Sequence, residues 1–439
     1  LHALEVARAA SASAWYAGSS PHTARGASAA GIGWPAPRDP LEAIDEAEFD
    51  LAMVRQLVHA DESEGGMAYL LDESPHLARA LRQRHGRLGA AWSRADGLVV
   101  RDPKARPHLD VLAFETKVYS PTALQRLAKC PYQFALYSVF KLSPREVPEA
   151  IEDLDPLQRG SMIHDIQFDV LIALRERGAL PLLTTQALDD ARDVLDETIA
   201  KVAAEYAEEL APAIPRVWEG AVEVIRQDLH EWLSRLHADP SWEPLAFELS
   251  FGITRGTRRD PRSVSEPVEL RELGIRLRGS IDLVEARMPT GEELEPLTML
   301  RATDSKTGRK PQWMKDDLTI GGGRALQPLL YAAVLEALGG TLVDGEIQVV
   351  GGRLYYCTSR GGFRVVDAAL DQRSRAVVAK VPEVLQWSRD KAFFPPAPID
   401  GECRYCDYQP VCGPDVLVHL ARKTDRARLG PIETLRGLK

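Results

Sequence analysis

The chain has 439 residues, with 64 acidic residues against 54 Lys and Arg, for a formal net charge of −10. That length is enough for two or three domains with a sizeable core, and the 45% hydrophobic and 27% charged fractions are those of an ordinary globular protein. No apolar run approaches the ~20 residues needed to span a bilayer, and the start lacks a secretory pattern, so the expectation is a cytoplasmic protein with no membrane partner.

Leu1 in place of Met suggests a truncated, processed or unusually translated N-terminus, and a fragment of something longer is one expectation. The small residues of Ala10–Arg38 read as loop, and Leu41–Asp61 and Ser74–Trp92 show helical spacing, so residues 1–116 are expected to form a mostly helical packing region. No Gly-x4-Gly-Lys-Ser/Thr loop is present, which excludes ATP hydrolysis by that route. At Tyr119 the character changes. Ser120-Pro121 is a helix start, Cys130 falls at the end of that short helix, and Pro131 opens another. Pro156–Arg177 reads as a helix carrying His164 and ended by Gly178. Residues 187–238 read as long helical segments in which Trp218 and Trp232 pack a core.

Strands are expected at Leu245–Thr254, Leu273–Ala286, Leu297–Thr303 and Glu346–Cys357. Glu248 alternates with apolar neighbours on the first of these, and a site role and a structural role both fit it. Gly321–Gly323 leads into a helix starting near Arg324, with Gln327 and Tyr331 one turn apart. Asp371–Arg389 is a further helix. The expected fold is therefore α/β, a central mixed sheet flanked by helices, with a mostly helical N-terminal region.

Asp304 and Lys306 follow the third strand with one residue between them, so both side chains point to the same face. A carboxylate can hold a hard divalent cation, and an ammonium beside it can steer a water, which suits metal-assisted phosphodiester cleavage. Asp282 sits on the preceding strand, and a Pro289–Gly291 turn between the two would bring it close to Asp304 in hairpin register. Basic clusters at Arg255–Arg262, Arg271–Arg278 and Arg301–Lys315 flank these residues. Each reads equally as a nucleic-acid patch or a solvated face.

His164, Gly279-x-x-Asp282, Asp304-x-Lys306 and Gln327-x-x-x-Tyr331, in this order, resemble the PD-(D/E)XK nucleases of the RecB-like kind. The run Tyr119-Ser-Pro-Thr-Ala-Leu-Gln-Arg-Leu-Ala-Lys-Cys-Pro-Tyr-Gln-Phe-Ala-Leu-Tyr137 resembles the start of the nuclease domain in AddB-type proteins. The resemblance covers residues 117–415 and leaves 416–439 as a C-terminal tail. It implies a restriction-endonuclease-like core in which Asp282 and Asp304 bind Mg²⁺ or Mn²⁺, His164 is a third ligand and the Ser305 carbonyl a fourth. Relatives often carry Tyr where this chain has Ser305. Lys306 would position the attacking water, and Gln327 and Tyr331 would orient Lys306 or the substrate. The implied function is a DNA nuclease, expected to be an exonuclease, in a helicase–nuclease for recombinational repair of double-strand breaks, with DNA and a helicase subunit as partners. A free-standing nuclease of CRISPR adaptation or of a mobile element, and a non-catalytic iron–sulfur DNA-binding scaffold, are the alternatives.

Five cysteines are few, and a large chain expected to be cytoplasmic favours a metal centre over a disulfide framework. Cys357 reads as a buried small hydrophobe. Cys403-x-x-Cys406-x5-Cys412 supplies three thiol ligands, and zinc remains open for them, with His419 able to substitute. With Cys130 as the early fourth, the pattern resembles the 4Fe–4S staple of AddB-type nucleases and of the CRISPR-associated exonuclease, which ties the end of the domain to its beginning.

Overall fold

The computed structural model describes residues 37–59, 72, 75–100, 104–113, 117–144, 152–254, 256–288, 297–315, 319–413 and 416–438. Most of the loop expected over Ala10–Arg38, and the Pro289–Gly291 turn, lie outside these residues. The chain divides into two compact units, residues 1–99 with 415–426 and residues 100–414 with 427–439. In the first unit, helices Glu46–His59 and Pro75–Leu88 precede a short turn at Arg94–Asp96. There the buried Lys423 ammonium pairs with the buried Asp96 carboxylate at 2.8 Å and donates to the carbonyls of Gly89 and Ala91 at 2.9 and 3.1 Å. A charge can be buried in this way because it is both paired and hydrogen-bonded.

In the second unit, β1 (Val118–Tyr119) runs into α1 (Pro121–Lys129). Ser120 caps α1 by accepting from the Ala123 amide at 3.2 Å, and Pro121 stands at the first position, where its missing N–H costs nothing. Cys130 ends α1 and Pro131 opens the next turn. Asp155 caps α2 (Pro156–Glu176) through the amides of Leu157 and Gln158. The stretch beyond is two helices, α3 (Thr185–Leu210) and α4 (Pro215–Ala238): α3 ends where Ala211 turns left-handed at φ +46° ahead of Pro212, and Pro215 stands at the first position of the next. Met162 and Ile166 of α2, Leu195 and Ile199 of α3, and Leu229 and Leu233 of α4 share one core cluster with Phe247 and Leu283 of the sheet. Each such side chain contributes about 1.5–3 kcal/mol on burial. Trp232 is buried in this cluster and Trp218 half-buried against it, which assigns both to packing.

Strands follow in chain order as β2 (Glu243–Phe251), β3 (Val268–Leu270), β4 (Ile275–Leu277), β5 (Gly279–Arg287), β6 (Leu297–Lys306), β7 (Glu346–Tyr356) and β8 (Val365–Ala369). The main sheet has the order β2-β5-β6-β7-β8, with β6 and β7 parallel and the other neighbours antiparallel. α5 (Gln327–Leu338) supplies the crossover between the parallel pair. A smaller sheet has the order β1-β4-β3, and α6 (Gly430–Gly437) closes the unit. The architecture is the expected mixed α/β with helices about the sheet.

Several local expectations are corrected. The strand expected over Leu273–Ala286 is two, because the chain leaves the small sheet at Arg278, whose amide donates to the Tyr119 carbonyl at 2.9 Å, before joining the main one. β8, which the sequence reading omitted, pairs with β7 after the Ser359–Gly361 turn. α5 begins at Gln327 rather than near Arg324, since Gly321–Gly323 is a separate turn with Gly322 at φ +65°. The single helix expected over Asp371–Arg389 is a pair, Gln372–Val378 and Lys380–Asp390. Arg301, counted in a basic cluster, is buried and bound to Glu285 through Nε and Nη2, both at 2.7 Å. Among the described residues no helix is long and apolar enough to cross a membrane.

Candidate active site

The antiparallel register of β5 and β6 pairs Leu283 with Thr303, which sets Asp282 against Asp304 at the next step. On the other side of β5, the pairs Phe247–Leu283 and Leu249–Ile281 set Glu248 against Asp282. Three carboxylates thus stand in a row across three strands. α2 brings in His164, whose Nδ1 lies 3.5 Å from Asp282 Oδ2 and 3.7 Å from Glu248 Oε1. Ligand atoms of His164, Glu248 and Asp282 all lie within 4.8 Å of one another.

Glu248 is the member that sequence reasoning left open. Its backbone has φ +47°, left-handed for a residue in a strand, at a cost of about 1–3 kcal/mol. Asp260 holds this conformation from both sides, its amide donating to the Glu248 carbonyl at 3.3 Å and its carboxylate accepting from the Phe247 amide at 3.1 Å. Ser280 Oγ donates to Glu248 Oε2 at 2.8 Å, which orients the carboxylate. The one signal in the sequence was a carboxylate among apolar neighbours on a strand.

Each remaining residue has a defined place. The Ser305 amide donates to Asp282 Oδ2 at 2.7 Å and fixes that carboxylate. Asp304 is buried, and its Oδ2 meets the Lys306 ammonium as an ion pair. Lys306 Nζ also donates to Gln327 Oε1 at 3.3 Å. Tyr331 is buried one turn along α5 and hydrogen-bonded to the Gln327 side chain. The motif reading grouped His164 with Asp282 and Asp304, whereas the tight triad in the structure takes Glu248, and Asp304 is engaged by Lys306. A cleft of about 650 Å³ opens onto His164, Glu248 and Lys306, with Arg258 and Arg309 also in its lining. Arg258 is committed to Asp165, Asp169 and Glu205, at 3.1, 3.1 and 2.9 Å.

The electrostatics are those of a site with surplus negative charge. Burial pushes the Asp282 carboxyl above the ordinary range, His164 pulls it back, and Asp304 and Glu248 add to the rise. Burial opposes the His164 imidazolium, but Asp282 and Glu248 outweigh it and raise its pKa to about 9. Burial likewise opposes the Lys306 ammonium, and Asp304 and Asp282 override it, so Lys306 stays charged. Burial raises the Tyr331 hydroxyl, and Asp304 and Asp282 raise it further, so Tyr331 remains neutral. Three carboxylates face one ammonium and one imidazole. Hard oxygen ligands with one imidazole fit a divalent cation.

The four candidate cluster cysteines form no disulfide and do not gather in this way. Among the described residues, the group of potential metal ligands drawn together within 4.8 Å is the His164–Glu248–Asp282 set. Their two segments are nevertheless adjacent. The Ile399 amide donates to the Lys129 carbonyl at 2.9 Å, Lys129 pairs with Glu402 at 3.1 Å, and Tyr408 Oη donates to the Leu142 carbonyl at 2.8 Å. Cys357 is buried at the end of β7, with its amide on the Lys306 carbonyl at 3.0 Å.

No curated protein matches the chain. A family model of the PD-(D/E)XK nuclease superfamily matches residues 118–413, which span every motif above from Tyr119 to Cys412. With two-thirds of its length under that match, and with an acid, a second acid and a lysine brought together at the ends of β5 and β6, the chain belongs to the PD-(D/E)XK nuclease superfamily, whose members are generally nucleases.

Proposed function

We propose that this chain is a Mg²⁺- or Mn²⁺-dependent DNA nuclease of the RecB/AddB-like kind, acting as an exonuclease in cytoplasmic recombinational repair of double-strand breaks beside a helicase subunit. The observation that carries the nuclease reading is the row Glu248, Asp282 and Asp304 gathered around His164 with Lys306 at its end. A bound divalent cation would polarise a phosphodiester oxygen and acidify a water. His164, Glu248 and Asp282 are the nearest set to hold it, with Asp304 and the Ser305 carbonyl available from β6. Lys306, kept as an ammonium, donates to the attacking water or to a phosphate oxygen and does not itself accept the proton. Gln327 steadies that ammonium, and the neutral Tyr331 hydroxyl steadies Gln327. We take the nuclease domain as residues 117–415, the helical region as 1–116 and the tail as 416–439, in a subunit or fragment of a longer helicase–nuclease.

The same reading gives Cys130, Cys403, Cys406 and Cys412 a 4Fe–4S cluster. Support comes from four cysteines on two adjacent segments, which the Ile399–Lys129 hydrogen bond and the Lys129–Glu402 ion pair hold together. Burial pushes the Cys130 thiol up to about 12, so it would need a metal beside it to ionise. The test is one anaerobic preparation, assayed for iron and sulfide and for cleavage of end-labelled DNA with Mn²⁺. Chelator-sensitive release of nucleotides from an end is expected. DNA binding without cleavage would leave a scaffold, and one zinc per chain with no sulfide would overturn the cluster while sparing the nuclease site.

A further inference from the structure

The turn before α5 is where the two cysteine segments and the catalytic helix meet. Leu326, the residue preceding α5, has no side-chain cap of its own, and its amide donates to Gln125 Oε1 of α1 at 3.1 Å. Gly323, at φ +88°, lies so close to α1 that a β-carbon there would meet Ala128 Cβ at 2.3 Å. The Gly322 amide donates to the Leu438 carbonyl at 2.7 Å. Arg324 donates to the Asp400 carbonyl at 2.9 Å and pairs with Glu402 at 3.7 Å. Glu402 also receives Lys129 at 3.1 Å. Lys129 precedes Cys130, Glu402 precedes Cys403, and Arg324 stands shortly before Gln327, so one carboxylate joins all three.

We propose that Gln125 and Glu402 are positioning residues that fix the first turn of α5 and thereby hold Gln327 against Lys306. This rests on reading Lys306 and Gln327 as parts of the nuclease site. The unpaired amides at the start of a helix need partners. Pro328, with no N–H, removes one such donor, and Gln125 answers the Leu326 amide from another element. The contact being protected has little slack. At 3.3 Å, Lys306 Nζ to Gln327 Oε1 is already long for a hydrogen bond. A misplacement of about 1 Å at a catalytic group can cost on the order of 10²-fold in rate. The segment carrying Cys403, Cys406 and Cys412 therefore reaches the chemistry through Glu402 and Arg324, without touching substrate.

The test combines kinetics with hydrogen exchange on the full chain. Gln125→Leu should lower kcat about 10-fold with KM and Mn²⁺ affinity unchanged, because the ligands His164, Glu248 and Asp282 are not on the relay. Gln125→Glu keeps an acceptor oxygen and should recover most of the rate. In a Gln327→Ala background, Gln125→Leu should cost little more, since the contact it protects is already gone. Glu402→Gln should follow the same pattern with a smaller loss. Fully additive losses, or a Gln125→Leu protein as active as the unsubstituted one, would overturn the proposal. Exchange at the amides of Leu326, Gln327, Leu329 and Leu330 should also speed up in Gln125→Leu, a readout that needs no activity. If the unsubstituted chain cleaves nothing, the nuclease reading fails, and unchanged exchange would separately remove the positioning role.

Discussion

β5 and β6 carry two cross-strand pairs of charged residues, and the two are built on opposite rules. Asp282 against Asp304 puts like charges together, with Glu248 added from β2. Glu285 against Arg301, three residues away on each strand and so on the other face, is a buried two-point ion pair in which Thr303 Oγ1 also donates to Glu285 and Arg301 lies 4.1 Å over the Trp242 ring. One pair is internally satisfied and the other is left short of positive charge. Neighbouring positions in one hairpin can thus be given over separately to chemistry and to holding the strands, and substitution should separate the two.

The largest effect is expected on the like-charged side. Asp304→Ala or Asp282→Ala should lower cleavage by at least about 10³-fold. Asp282→Ala should not lower Tm, because removing one of three crowded carboxylates relieves repulsion, whereas Asp304→Ala also takes the partner from the buried Lys306 ammonium and should lower Tm modestly. A loss of stability comparable to a core deletion would show that these carboxylates hold the fold. On the matched side the signs reverse. Arg301→Met should cost about 3–5 kcal/mol in urea unfolding by stranding Glu285, with metal-dependent cleavage retained at low temperature. Adding Glu285→Leu should restore much of that loss, and a double variant no better than the single would mean that packing on Trp242 matters more than charge. Gln327→Ala should be milder, about 10-fold in kcat with Mn²⁺ affinity intact.

The smallest effect is on pH dependence without metal. The folded His164 pKa is raised to about 9 from 6.5, so its contribution to stability is full below pH 6.5 and disappears as pH rises through 9. Tm measured in chelator across that window should decline, and His164→Gln should flatten the decline. An equal slope in the variant would place the titration elsewhere.

The sequence showed clearly whatever depends on local order and spacing. Ser120 and Pro121 mark a helix start through a capping side chain and a missing amide. Asp282, Asp304 and Lys306 were readable because alternation and hairpin pairing are short-range rules. Arg301 was misread as part of a basic patch because only pairing with Glu285 across the strands reveals it as internal. Glu248 was ambiguous for a related reason. Its place in the triad depends on a left-handed backbone set by Asp260, 12 residues on, and no local pattern reports that. The start of α5 slipped by three residues because a Gly-rich stretch fits a helix approach and an independent turn equally well. The cysteine pattern gives ligand types and order, but it does not set the separation of the four thiols.

The Lys423–Asp96 pair bears on how the chain can be taken apart. The partners are 327 positions apart, and the first unit resumes at residue 415 after the second has run its course. The second unit then reclaims residues 427–439, so the two are interleaved and neither is a contiguous cassette. Trimming at the end of the family match removes Lys423 and leaves Asp96 buried without its counter-charge, and it also strips α6 from the nuclease unit. A minimal fragment or shuffled domain that treats this protein as beads on a string, ended near residue 414, parts each unit from its own C-terminal piece.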